Sequence, residues 1–102
     1  MSFTVEFTAG VRQDLLKKFG YIKESGRPEA ARRLQQQLTE ACDSLSQHPE
    51  RGHIPEELEG LSALLCSQIF VKKHRILYLV IGKVVVIHGV IDGRRNIRET
   101  MR

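Results

Sequence analysis

The 102-residue sequence predicts a single α+β domain over residues 1–102, an N-terminal strand and an antiparallel helical hairpin packed on a mainly antiparallel β-sheet. Three observations carry that prediction. Phe3, Val5 and Phe7 alternate with polar neighbours, the period of a half-buried strand. Two stretches of helical spacing follow, divided by Ser25-Gly26-Arg27-Pro28. Beyond residue 60 the chain turns to short runs rich in valine, isoleucine and leucine, as strands are. Composition agrees: 41% apolar and 27% charged residues suit a folded chain and not a disordered one. A domain of this size buries roughly two thirds of its extended-chain surface, enough for one core.

Each element has a local reason. Thr8 can cap a helix whose apolar residues are Val11, Leu15, Leu16, Phe19 and Ile22, with Gly20 weakening its later part. Gly26 suits the end of that helix and Pro28 the first turn of the next. In the second helix Leu34, Leu38, Ala41, Cys42 and Leu45 fall on one stripe, while Arg32, Arg33, Gln36, Gln37 and Glu40 face out. Residues 47–60 hold two prolines and two glycines and read as a loop. Strands are expected over 61–71, 75–81 and 84–91, and a short tail helix over 96–102. Gly82-Lys83 fits a two-residue hairpin turn with glycine at its first central position.

Several function classes are excluded at this level. No apolar run approaches the roughly 20 residues needed to span a bilayer, so no membrane association is expected. The first ten residues lack the basic start and long apolar stretch of a secretory leader, which predicts a cytoplasmic location. Cys42 and Cys66 make neither a disulfide framework nor a zinc signature and read as packing residues. His48 and His53 lie five apart with no cysteine or carboxylate set to complete a site. No metal and no cofactor are expected.

Charge is unevenly spread. Residues 1–65 carry eight basic and ten acidic side chains, a net of −2, whereas residues 66–102 carry eight basic and two acidic, a net of +6. A one-ended positive field attracts polyanions or an acidic protein surface. A turn at residues 82 and 83 would place Arg75 opposite Val90, Leu77 opposite His88 and Lys73 opposite Asp92. That register gathers Lys72, Lys73, Arg75, Arg94 and Arg95 at one end of the sheet, with His88 diagonal to Arg75. It also puts Leu77, Leu79, Ile81, Val84, Val86 and Val90 on one face, and Ile76, Tyr78, Val80, Val85, Ile87 and Ile91 on the other. Two helices cover only one face, so the second needs the chain's own C-terminal tail, a second copy or a partner chain, and the seven tail residues, with only Ile97 and Met101 apolar, favour a partner. Tyr78 reads as core with its hydroxyl satisfied, and His88 as either a packed histidine or a general base.

The helical hairpin, the loop with Pro49 and Gly52, the string Phe70-Val71-Lys72-Lys73-His74-Arg75-Ile76-Leu77-Tyr78, and Val90-Ile91-Asp92-Gly93-Arg94-Arg95-Asn96 resemble the RelE/ParE toxin superfamily over nearly the whole chain. The resemblance implies the toxin of a type II toxin–antitoxin module of the plasmid-stabilisation kind. A cognate antitoxin would hold it inactive by wrapping its C-terminal segment around the toxin. Leu77, Leu79, Val84 and Val86 are the expected antitoxin-binding residues. Lys72, Lys73, Arg75, Arg94, Arg95 and Arg98 are the expected target-binding or nucleic-acid-binding set. A homodimer and an antitoxin-bound hetero-oligomer both stay open.

The superfamily divides by target. RelE-like members cut messenger RNA in the ribosomal A site, where cations stabilise charge on the phosphate and another group moves the proton. Arg75 and Arg95 match two arginines of those nucleases, and His88 is the candidate base beside Arg75. Those nucleases also present lysines on the preceding strand and a tyrosine or histidine near the C-terminus. Here residues 65–68 are Leu, Cys, Ser and Gln, and residues 97–102 contain neither tyrosine nor histidine. ParE-like members, which poison DNA gyrase by protein contact, resemble this chain better. The expectation is a non-enzymatic ParE-like toxin acting on gyrase. The alternatives are an mRNA endoribonuclease using Arg75 and Arg95, and an interaction domain that has lost its toxic surface.

Overall fold

A computed structural model describes residues 2–55 and 67–92. Along the chain it has β1 (Thr4–Phe7), α1 (Ala9–Glu24), α2 (Pro28–Gln47), a 3₁₀ turn (Pro49–Arg51), β2 (Ser67–Val71), β3 (His74–Ile81) and β4 (Val84–Asp92). The strands form one sheet in the order β1-β4-β3-β2. Pairing is antiparallel between β2 and β3 and between β3 and β4, while β1 runs parallel to β4 at the edge. The predicted α+β architecture is the one observed. The expected strand segment 61–66 and the tail helix 96–102 lie outside the described residues, as do Cys66, Arg94, Arg95 and Arg98.

The helix ends follow from their residues. The Thr8 hydroxyl accepts from the Val11 amide at 3.3 Å, satisfying one of the first-turn donors. Gly20 does not end α1, which continues through it to Glu24. The chain reverses at Ser25 and Gly26, where Gly26 takes φ +78°, and Pro28 opens α2. The helices pack Val11, Leu34, Leu38, Ala41 and Leu45 against Ile69, Ile76, Tyr78, Val85 and Ile87 of the sheet. Leu16 is 71% exposed, so the apolar stripe of α1 is narrower than its sequence suggests, and Cys42 on α2 is only half-buried.

Tyr78 ties the loop after α2 to this core. Its hydroxyl donates to the Pro49 carbonyl at 2.6 Å and accepts from the Gly52 amide at 3.0 Å. Glycine is required at 52 because a Cβ there would stand 2.2 Å from that hydroxyl. The side chain is fully buried with both of its hydrogen-bonding roles used, as expected from the sequence.

The β3–β4 hairpin corrects the predicted register. Gly82, at φ +60°, opens the turn, and pairing runs as expected from Ile81↔Val84 to Tyr78↔Ile87. There the register shifts by one, and the partners become Leu77↔Gly89, Ile76↔Val90, Arg75↔Ile91 and His74↔Asp92. His88 is the extra residue of a β-bulge, which the alternating pattern did not reveal because valine and isoleucine occupy both faces. A bulge inverts every position beyond it. Val90 therefore joins the helix-side core beside Ile76, and Ile91 lies on the far face beside Arg75, the reverse of the expected assignment.

Candidate functional site

The far face of the sheet carries Gln68 and Phe70 of β2, and Arg75, Leu77, Leu79 and Ile81 of β3, because their neighbours Ile69, Ile76 and Tyr78 point into the helix-side core. This face divides in two. At one end Arg75, Leu77 and Ile91 are buried, at 4%, 2% and 8% exposure; at the hairpin end Leu79 and Ile81 are 37% and 62% exposed. Val80, on the other face at the same end, is 45% exposed, so the hairpin tip projects apolar groups on both sides. Val84 and Val86 are half-buried. Of the expected antitoxin-binding residues, Leu79 is the most accessible and Leu77 is within the fold.

Arg75 is held rather than displayed. Its Nε donates to the Gln68 side-chain carbonyl at 2.8 Å, and the Gln68 amide nitrogen donates to His53 Nε2 at 3.0 Å. Its guanidinium lies 5.9 Å from the Phe70 ring centroid, and the rings of Phe70 and His53 stack at 6.2 Å. Backbone bonds between His53 and Gln68 in both directions fix the loop against β2. The sequence points to His53 only as half of an incomplete metal pair and to Gln68 only as part of a stretch without lysine, not to either as a partner of Arg75. A buried polar residue opposite Leu77 is visible only once the strands are paired.

Of the expected cationic cluster, Arg94 and Arg95 lie outside the described residues, and Lys72 and Lys73 are not brought to Arg75. Lys72 and Lys73 form the β2–β3 turn and line a cleft of about 360 Å³ together with Ile22, Arg27, Ala30, Arg33, Leu34, Gln37 and His74. Arg75 is not among its lining residues; it sits on the opposite face of the sheet. Arg27 and Arg33 join the lysines there, although the sequence places Arg33 among the residues facing out. The available signal was their helical spacing with Ala30, Leu34 and Gln37.

The histidines are also placed differently. His88, in the bulge, lies three positions along β4 from Ile91, the partner of Arg75, and not on the diagonal expected. Its Nε2 is buried without a hydrogen-bond partner, and burial holds its pKa below the ordinary value. His74, not Lys73, faces Asp92. Its Nε2 accepts from the Lys18 ammonium, so the neutral ring carries its proton on Nδ1, which is buried and unpartnered. Burial and then the Lys18 charge lower the His74 pKa, against the pull of Asp92. Lys18 is itself lowered by burial, with Asp92 opposing.

Among the described residues no group of three potential ligands could hold a metal ion, and no helix is long and apolar enough to cross a membrane. Cys42 borders a second cleft, of about 260 Å³, with Phe7, Leu15 and Phe19. Burial and the nearby Asp43 push its thiol up to about 11, which leaves it a poor nucleophile.

Residues 5–97 match the family model of the ParE toxin of type II toxin–antitoxin systems. No curated protein sequence matches the chain. Among solved structures, a chromosomal ParDE toxin–antitoxin system from P. aeruginosa superposes with a TM-score of 0.69 at 16% identity, over 89% of this chain and 96% of that one. With the helical hairpin, the four-stranded sheet and nearly the whole length accounted for, this chain belongs to the ParE toxin family of type II toxin–antitoxin systems.

Proposed function

We propose that this toxin arrests growth in the bacterial cytoplasm by protein–protein contact with DNA gyrase, and that a cognate antitoxin neutralises it across the exposed hairpin end. The observation that carries the reading is the state of Arg75. A phosphate-stabilising cation of a nuclease must face its substrate, whereas Arg75 is 4% exposed and bonded to buried Gln68. The bulge also separates His88 from it, and burial disfavours the proton uptake a general base needs. The apolar groups at the hairpin tip, Leu79, Val80 and Ile81, support a partner there, flanked by Val84 and Val86. Lys72, Lys73 and the arginines at 94, 95 and 98 remain the proposed target-facing cations.

Purified toxin added to gyrase and relaxed plasmid tests the reading. Inhibited supercoiling, or accumulated double-strand breaks, with intact messenger RNA in expressing cells is the expected result. Transcripts cut at ribosomal A-site codons, with the cutting lost in an Arg75→Ala, Arg95→Ala double variant, would replace it with the endonuclease reading.

A further inference from the structure

We infer that the cleft between α2 and the β2–β3 turn is a binding site for phosphoryl groups, of the kind carried by a nucleoside polyphosphate. Four cations converge on it from two walls, Arg27 and Arg33 from the helical side and Lys72 and Lys73 from the turn, and no acidic residue lines it. The ion pairs among the described residues, Arg32–Glu29 and His48–Glu50, involve none of the four. Four cations on one cleft with no carboxylate among its lining residues favour a bound polyanion. The two guanidinium forks suit bidentate phosphate contacts and the two lysines act as point charges. Ile22, Ala30 and Leu34 give the cleft an apolar floor and Gln37 a neutral amide. Its volume, about 360 Å³, lies within the range of small-ligand sites.

The backbone supplies an independent observation. The two hairpins of the sheet each turn on two residues, and each places a positive φ at the first of them. In the β3–β4 turn that residue is Gly82, at φ +60°; in the β2–β3 turn it is Lys72, at φ +55°, the one non-glycine residue with positive φ among those described. Glycine adopts this conformation without penalty and lysine does not. Strain kept at an exposed turn position, where glycine would relieve it, marks the lysine side chain as the useful part. Lys72 lines the cationic cleft.

Titration of the purified full-length toxin with inorganic pyrophosphate, ATP and a single-stranded oligonucleotide tests this site. Saturable pyrophosphate binding at low salt is expected, weakened at least about tenfold in Lys72→Gly and in Arg33→Gln. Lys17→Gln, on the exposed surface of α1 and outside the cleft, should bind as the parent does. Without ligand, Lys72→Gly should melt about 4 °C higher, which separates lost binding from lost folding. ATP binding tighter than the oligonucleotide assigns the site to a free nucleotide; the reverse order assigns it to a nucleic-acid backbone, and either retains a phosphoryl site. No saturable pyrophosphate binding at millimolar concentration, or undiminished binding in both Lys72→Gly and Arg33→Gln, would overturn the inference. Growth arrest and gyrase inhibition are read separately, so failure here leaves the toxin reading intact.

Discussion

At the scale of single residues, the informative positions are polar groups placed where water cannot reach them. Tyr78 is the clearest. Replacing it with phenylalanine leaves the Gly52 amide and the Pro49 carbonyl without their buried partner, at a cost of about 1–3 kcal/mol. Chemical denaturation should show this as a lower midpoint with an unchanged slope. The two buried histidines set a pH dependence. Both His74 and His88 have pKa values lowered by burial, so on acidification the unfolded chain takes up protons first. Their contribution is complete above the ordinary histidine value of about 6.5 and is lost as pH falls through the lowered folded values. The toxin should therefore be less stable at pH 5.5 than at pH 7.5, and His88→Gln should reduce that difference. The reverse slope in pH-dependent unfolding would contradict the assignment. Lys72→Gly, by removing the strain of a positive φ, should stabilise the fold by about 1 kcal/mol.

At the scale of elements, the start of α1 and the bulge of β4 decide how chain segments are aimed. Thr8 links the end of β1 to α1, its amide donating to the Ile87 carbonyl while its side chain caps the helix. Thr8→Ala should cost about 1 kcal/mol, and Thr8→Ser should restore most of it, both readable by thermal melting. The bulge places Gly89 against Leu77, where an added Cβ would sit 3.0 Å from Leu77 Cδ1. Gly89→Val should then cost about 1–3 kcal/mol by overpacking, and Leu77→Ala in the same chain should recover part of that loss. The bulge is a feature of the β3–β4 hairpin that the sequence conceals. Alternation fixes a register only where one face is polar, and between residues 76 and 91 both faces are largely apolar.

At the scale of the molecule, the sheet separates two kinds of surface. The buried Arg75–Gln68 pair lies on the face opposite the helices. The cationic cleft lies toward the helices, and the apolar tip of the hairpin projects beyond both. A partner that covers the tip need not occupy the cleft. Ile81→Asp, at a position 62% exposed, should change stability by no more than about 0.5 kcal/mol and weaken antitoxin binding by tenfold or more. Titration calorimetry against the antitoxin would check both the loss and its independence from Lys72.

The amino-acid sequence by itself determined the element order, both helix starts, the buried stripe of α2, the turn at Gly82 and the satisfied hydroxyl of Tyr78. These are matters of spacing, capping and conformational preference, which act over a few residues and can be read there. Its family likeness was legible in the same strings. Tertiary structure alone decided that β1 lies parallel beside β4, that His88 is an inserted residue, and that Arg75 is bound within the fold. It also brought Arg27 and Arg33 to Lys72 and Lys73. Each of those depends on which strands and helices meet, and so on the packing of residues up to 80 positions apart, as Thr4 and Val84 are, a distance over which local preference carries no information.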